Sequence, residues 1–157
     1  MATSASDLQD SVVTEIEIAA PPERVFAALT DAKQLMRWWI SPICDQTVWQ
    51  MDARDGGQWS FATSAASKTI NGVNEFKCHG KILEFKPPRL LVYTWIANWN
   101  DKPDAITLVK WELTPTPTGT RLKVTHSGLA EQKVARQDYR GGWPGVVESL
   151  KKFAETK

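Results

Sequence analysis

The sequence predicts an α+β fold: a curved seven-stranded antiparallel sheet, two short helices directly after the first strand, and a long C-terminal helix over the concave face. Three observations predict it. Val12, Thr14, Ile16 and Ile18 alternate with Val13, Glu15 and Glu17, the period of a half-buried strand. From Asp45 to Val124, apolar-alternating runs are separated by turn signals, as in an antiparallel meander. The chain then closes on an amphipathic stretch, with Tyr139, Trp143, Val146, Leu150 and Phe153 separated by four, three, four and three residues. A curved sheet must cover its apolar face, and the one terminal helix is the available cover.

In chain order, residues 1–11 show no periodicity and are expected as a flexible N-terminus ahead of a single domain over 12–157. The first strand, Val12–Ala20, is stopped by Pro21-Pro22. Pro22 suits the first turn of a helix, where its missing N–H is not needed, and Glu23 places a negative charge near the helix N-terminus. Val25, Phe26 and Leu29 give that helix its apolar side. Asp31 caps a second short helix through Lys33, Gln34, Leu35, Met36 and Trp38, ended by Ser41-Pro42. Six strands then fit, at about Gln46–Met51, Gln58–Ser64, Asn74–Phe85, Leu90–Ala97, Ile106–Thr114 and Thr120–His126. Asp55-Gly56-Gly57, Asn71-Gly72, Pro87-Pro88, Asn98–Asp104 and Pro115–Gly119 break them. In the final helix, Ala130–Lys157, Gly141-Gly142 and Pro144-Gly145 predict a kink or a delayed start. Proline removes one helical hydrogen bond, and glycine costs about 1 kcal/mol relative to alanine.

Composition excludes several functions. The 157 residues are about one domain's worth, with 19 Lys and Arg against 18 Asp and Glu, so a polyanion binder is not expected and nucleic acid is not a partner. No apolar run approaches the roughly 18 residues of a bilayer span, and Met1–Asp10 lacks a secretory pattern, so a cytoplasmic protein without a membrane partner is expected. Cys44 and Cys78 lie outside any CxxC spacing and read as small apolar side chains. Cys78 and His79 are adjacent on a strand and face opposite ways, so a metal site built from them with His126 or Cys44 is not expected. Gly56-Gly57 and the 141–145 segment fit neither phosphate-binding nor dinucleotide spacing, and no cofactor is expected. Neither a GxSxG elbow nor a Cys-His pattern supports nucleophilic catalysis.

An ordered set of segments carries a family resemblance: Ala20-Pro21-Pro22-Glu23-Arg24-Val25-Phe26, Trp38-Trp39 with Pro42, Gly56-Gly57-Gln58-Trp59, Pro87 through Trp95, Gly119-Thr120-Arg121-Leu122, Thr125-His126-Ser127-Gly128 and Gly142-Trp143. Together they resemble the helix-grip (SRPBCC) superfamily of START domains, Bet v 1 and polyketide cyclases. More narrowly, they are similar to bacterial proteins named after the C-terminal domain of the activator of Hsp90 ATPase. The resemblance implies a helix-grip fold with a cavity between sheet and long helix, while activities across such relatives are diverse. The Hsp90 activator pairs this domain with a separate chaperone-binding domain, which is not expected within these 157 residues.

The unusual count is eight tryptophans, which must go to core, pocket or interface. Strand alternation puts Trp59, Phe61 and Thr63 on one face, and likewise Leu91, Tyr93 and Trp95, Val109, Trp111 and Leu113, and Leu122, Val124 and His126. These rings either fill the core or line a pocket with His126, Thr63 and Tyr93 as polar tips. The candidate ligand-binding cavity comprises Trp39, Trp59, Phe61, Tyr93, Trp95, Trp111, His126, Trp143 and Val147. His126 is the one catalytic candidate, as an acid or base near neutral pH, although no Asp or Glu shares its strand face to orient it. Trp38, Trp39 and Trp99 form a candidate exposed patch for a protein partner, Trp99 because it sits in a polar loop. Trp49 has no assigned place. The expected function is binding of an apolar or aromatic small molecule, with a cyclase- or hydrolase-like enzyme using His126 and an Hsp90-type interaction module as alternatives.

Overall fold

A computed structural model describes residues 10–39 and 47–156. Among them are seven strands: β1 (Val12–Ile18), β2 (Thr47–Met51), β3 (Gln58–Thr63), β4 (Lys77–Lys86), β5 (Leu90–Ala97), β6 (Thr107–Thr116) and β7 (Gly119–Ser127). They form one sheet in the order β1-β7-β6-β5-β4-β3-β2, with every neighbouring pair antiparallel. Helices α1 (Pro22–Thr30) and α2 (Ala32–Trp38) follow β1, and α3 (Lys133–Glu155) closes the chain. This is the expected helix-grip architecture, and no described helix is long and apolar enough to cross a membrane.

Register shows why the alternation predicted this sheet. Val12, His126, Val109, Tyr93 and Ile82 lie in one row across five strands, and all are buried. A one-residue slip in any strand would turn such a row to solvent. Gly80 has a specific task in β4. A Cβ there would lie 1.8 Å from the Thr94 carbonyl oxygen and 2.6 Å from Trp59 Nε1. Its absence lets the Trp59 indole on β3 pass over β4 and donate to that carbonyl on β5 at 3.1 Å.

Several boundaries differ from expectation. β4 begins at Lys77 rather than Asn74, because Asn71 (φ 51°) and Gly72 (φ 77°) turn the preceding connection back on itself, with Ile70 and Val73 exchanging backbone hydrogen bonds at 2.9 Å. β6 continues through Pro115 to Thr116, beyond Glu112, which lies opposite Leu90 at the start of β5, so among the described strands it pairs there with β7 alone.

Asp31 accepts from Lys33 N at 3.1 Å and caps α2 as expected. The Ser41-Pro42 stop, Cys44 and most of the N-terminal segment lie outside the described residues. Helix α3 starts at Lys133 and runs unbroken through Gly141, Gly142 and Pro144. The helix is therefore not delayed to this point, and Pro144 sits inside it. Those residues sit on the exposed side, while the opposite face buries Ala135, Tyr139, Trp143, Val147, Leu150 and Ala154, and that burial outweighs the poor local propensity.

Both ends of α3 are tied down from a distance. Its own Gln132 provides no side-chain cap. Asp101, from the β5–β6 loop, accepts instead from Val134 N at 3.0 Å and Ala135 N at 2.9 Å. At the other end, Arg24 of α1 donates through Nε to the Ala154 carbonyl at 2.6 Å and through Nη2 to the Thr156 carbonyl.

Candidate functional site

The concave face of the sheet is upholstered with rings. Strand β2 contributes Trp49, opposite Phe61 of β3, and β5, β6 and α3 add Trp95, Trp111 and Trp143. Trp39, at the C-terminus of α2, meets five of these: its ring lies 4.8 Å from Trp49, 6.0 Å from Phe61, 6.2 Å from Trp95, 6.4 Å from Trp111 and 5.8 Å from Trp143. Trp49 thus takes its place in the interior, only 3% exposed.

Polar atoms within this mass are mostly paired with one another. Trp143 Nε1 can only donate, and it donates to His126 Nδ1 at 3.2 Å. The imidazole proton therefore sits on Nε2, which donates to Thr107 Oγ1 at 2.8 Å, and Thr107 passes its own hydrogen to the Trp95 carbonyl at 2.8 Å. Burial drives the His126 pKa down to about 3, so the ring is neutral. Trp95 Nε1 donates to Tyr139 Oη at 3.0 Å, Tyr139 donates to Asn100 Oδ1 at 2.6 Å, and Trp111 Nε1 donates to Tyr93 Oη at 2.9 Å. Burial raises both tyrosines, which keep their protons. Within this mass, the buried donors Trp49 Nε1, Trp99 Nε1 and Asn100 Nδ2 have no hydrogen-bond partner among the described residues.

A cleft of about 110 Å³ opens beside α3 among the described residues. Trp39, Phe61, Trp95 and Trp99 form its sheet-side wall, and Tyr139, Trp143 and Val146 its helix side. Asp138 and Gly142 stand at the rim, where Asp138 pairs with Lys68 of the β3–β4 connection. A larger hollow, about 330 Å³, lies on the other side of the sheet near Gly80, among outward-facing side chains such as Gln58, His79, Lys81 and Thr94. Its lining is mixed, with Trp59 as its one indole, so the aromatic convergence of the cleft is absent there.

Of the expected cavity residues, Trp39, Phe61, Trp95 and Trp143 line the cleft. Trp59, Tyr93, Trp111, His126 and Val147 are packed into the core and do not line it. Thr63, expected as a polar tip, instead accepts from Phe76 N at 3.1 Å and stitches β3 to its following loop. Cys78 is buried and His79 exposed, on opposite faces as their adjacency requires.

The expected exposed patch of Trp38, Trp39 and Trp99 does not form, and Trp39 is half-buried against the aromatic core. Trp38 is 4% and Trp99 6% exposed. Trp38 is drawn inward by its Nε1 bond to the Ala28 carbonyl at 2.8 Å. The Trp99 loop is pulled down by the Asp101 cap on α3 and by Asn71 Nδ2, which donates to the Trp99 carbonyl at 2.8 Å, while the ring packs edge-on against Phe76 and Trp95. Tyr139 and Val146 were also missed as lining residues. Tyr139 precedes Trp143 by one helical turn, and that spacing was the available signal.

Comparison with known proteins agrees with the geometry. The family model for activator of Hsp90 ATPase homolog 1-like proteins matches residues 19–155. A solved Mesorhizobium loti protein is 28% identical, with TM-score 0.70 over 91% of this chain and 95% of its own. A Chromobacterium violaceum protein is 23% identical, with TM-score 0.75 over 94% of this chain and 99% of its own. An Aeromonas hydrophila protein described as AHSA1-like is 23% identical, with TM-score 0.71 and 92% of each chain covered. A search of curated proteins returns no match. By its family match over residues 19–155, the chain belongs to the activator of Hsp90 ATPase homolog 1-like family.

Proposed function

We propose that this protein binds a compact apolar or aromatic small molecule between the sheet and α3. The observation that carries this is the cleft itself: a core rich in large rings leaves an aromatic-walled gap among the described residues, and the exposed Gly142 is part of its lining. Mostly apolar walls with few polar groups are the usual lining of small-molecule sites. The size of the gap favours a small ligand over a lipid-like one.

Catalysis by His126 finds no support in the geometry. Both ring nitrogens are engaged by protein groups, and the residue does not line the cleft. An Hsp90-directed interaction, the alternative that the family description suggests, needs an exposed docking surface, and of the tryptophans expected to form one Trp38 and Trp99 are buried and Trp39 is half-buried. Titration with toluene, followed by tryptophan fluorescence, tests the binding reading. Saturable quenching is expected, together with a retained small molecule in native mass spectra of protein purified from its own host. Linear, non-saturating quenching and a bare protein mass would overturn it.

A further inference from the structure

The hollow on the outer face of the sheet is built from two neighbouring rows of side chains. Gln50, Ser60, His79 and Ile96 stand opposite one another across β2, β3, β4 and β5. In the adjacent row Gln58 faces Lys81, and Thr94 joins them through its Oγ1, which accepts from Lys81 N at 2.8 Å. Ser60 and Thr94 are short and the side chains around them are longer, so the face carries a depression of about 330 Å³.

The chemistry of this depression is one-sided. No Asp or Glu lines it, and the Lys81 ammonium forms no ion pair among the described residues. On the other half of the same face acids and bases are matched: Glu112, Lys123 and Glu15 lie in one row across β6, β7 and β1, and Lys110 pairs with Glu112 at 3.9 Å. An unmatched lysine set among amide and hydroxyl donors is complementary to an oxyanion.

Size and donor number narrow the class. An apolar cavity of about 150 Å³ holds benzene, so this hollow has room for an oxyanion together with a body of about one ring. Donors reach it from β2, β3, β4 and β5. A phosphomonoester offers three acceptor oxygens and nearly two charges to such a set, a carboxylate only two oxygens and one charge.

We propose that the outer face of the sheet carries a ligand site, separate from the cleft, for a phosphorylated small molecule of about one ring. Its phosphate lies between Lys81 and Gln58, and its body lies over Ser60 toward Ile96. The site does not depend on what the cleft binds.

The test uses phenyl phosphate on the full chain at about pH 7.5, where the phosphate is close to a dianion, with benzoate and inorganic phosphate for comparison. Backbone amide resonances report the location. Phenyl phosphate should shift the amides of Ser60, His79 and Lys81 saturably and bind at least about fivefold more tightly than either comparison ligand. Lys81→Gln and Gln58→Glu change exposed side chains, and their folds are checked by dispersed amide spectra. They should weaken phenyl phosphate by at least about fivefold and about tenfold, whereas Lys123→Gln should bind it as the wild type does. Wild-type affinity in Gln58→Glu, or an equal loss in Lys123→Gln, would overturn the site in favour of diffuse charge attraction. Benzoate binding as tightly would overturn the phosphate, and inorganic phosphate binding as tightly would overturn the ring-sized body. Absence of any saturable shift at Ser60, His79 and Lys81 would overturn the proposal outright. Shifts at Trp143 and Gly142 in their place would put the ligand in the cleft, which refutes this site and leaves the small-molecule reading of the cleft standing.

Discussion

At His126, burial and hydrogen bonding act in the same direction, because both hold the ring neutral. The folded pKa, about 3, lies below the ordinary value of 6.5, so between those pH values the unfolded chain binds a proton that the folded chain refuses. The stability from this group is therefore complete above about pH 6.5 and is lost progressively as pH falls, at a rate on the order of 1 kcal/mol per pH unit. Urea unfolding at about pH 7 and about pH 5 should show the wild type losing about 1–2 kcal/mol more than His126→Gln, which has nothing to titrate there. Parallel losses would show that His126 is not the acid-sensitive group. The same ring was the natural catalytic candidate from sequence, since strand alternation put it inward. Alternation could not reveal that Trp143 and Thr107 occupy both its nitrogens, because those partners lie 17 and 19 residues away on different elements.

Among the elements, α3 depends on caps that it does not itself carry. Burial alone would raise the Asp101 carboxyl, but the N–H groups of Ala135 and Val134 and the Asn71 amide outweigh it and hold the pKa below the ordinary carboxylate value. Its cap is thus fully present above about pH 4 and weakens as pH falls through the lowered folded value. Asp101→Ala should cost about 1 kcal/mol, as loss of a helix cap does. It should also speed hydrogen exchange at Val134 and Ala135 and loosen the loop that buries Trp99. Unchanged exchange at those two amides would refute the cap's role. These long-range ties mark the boundary of what was legible. The seven strands and the buried stripe of α3 could be read because alternation and helical spacing are local. Trp99 was misjudged because its burial is decided by Asp101 and Asn71, partners placed by the fold rather than by neighbouring sequence.

Taken whole, the molecule is poorest in helix-forming residues where its cleft opens. Gly141, Gly142, Pro144 and Gly145 follow one another on the exposed side of α3, and Gly142 stands at the rim. A Cβ at Gly141 or Gly142 would meet nothing within 4 Å, so packing does not require glycine at either position. Helix propensity argues against both, at about 1 kcal/mol each relative to alanine. An open rim is a reason to keep one of them: a side chain at 142 would stand beside the gap, whereas one at 141 would not, since Gly141 does not line it. Gly141→Leu and Gly142→Leu should therefore both raise the melting temperature by several degrees, from a gain of about 0.5–1 kcal/mol in helix propensity. Only Gly142→Leu should abolish probe binding in the cleft, and Gly141→Leu should bind as the wild type does. A stabilised Gly142→Leu that still binds would show that the rim is not the entrance, whereas a stabilised, closed variant would mean that stability is forgone at this turn to keep the cleft accessible.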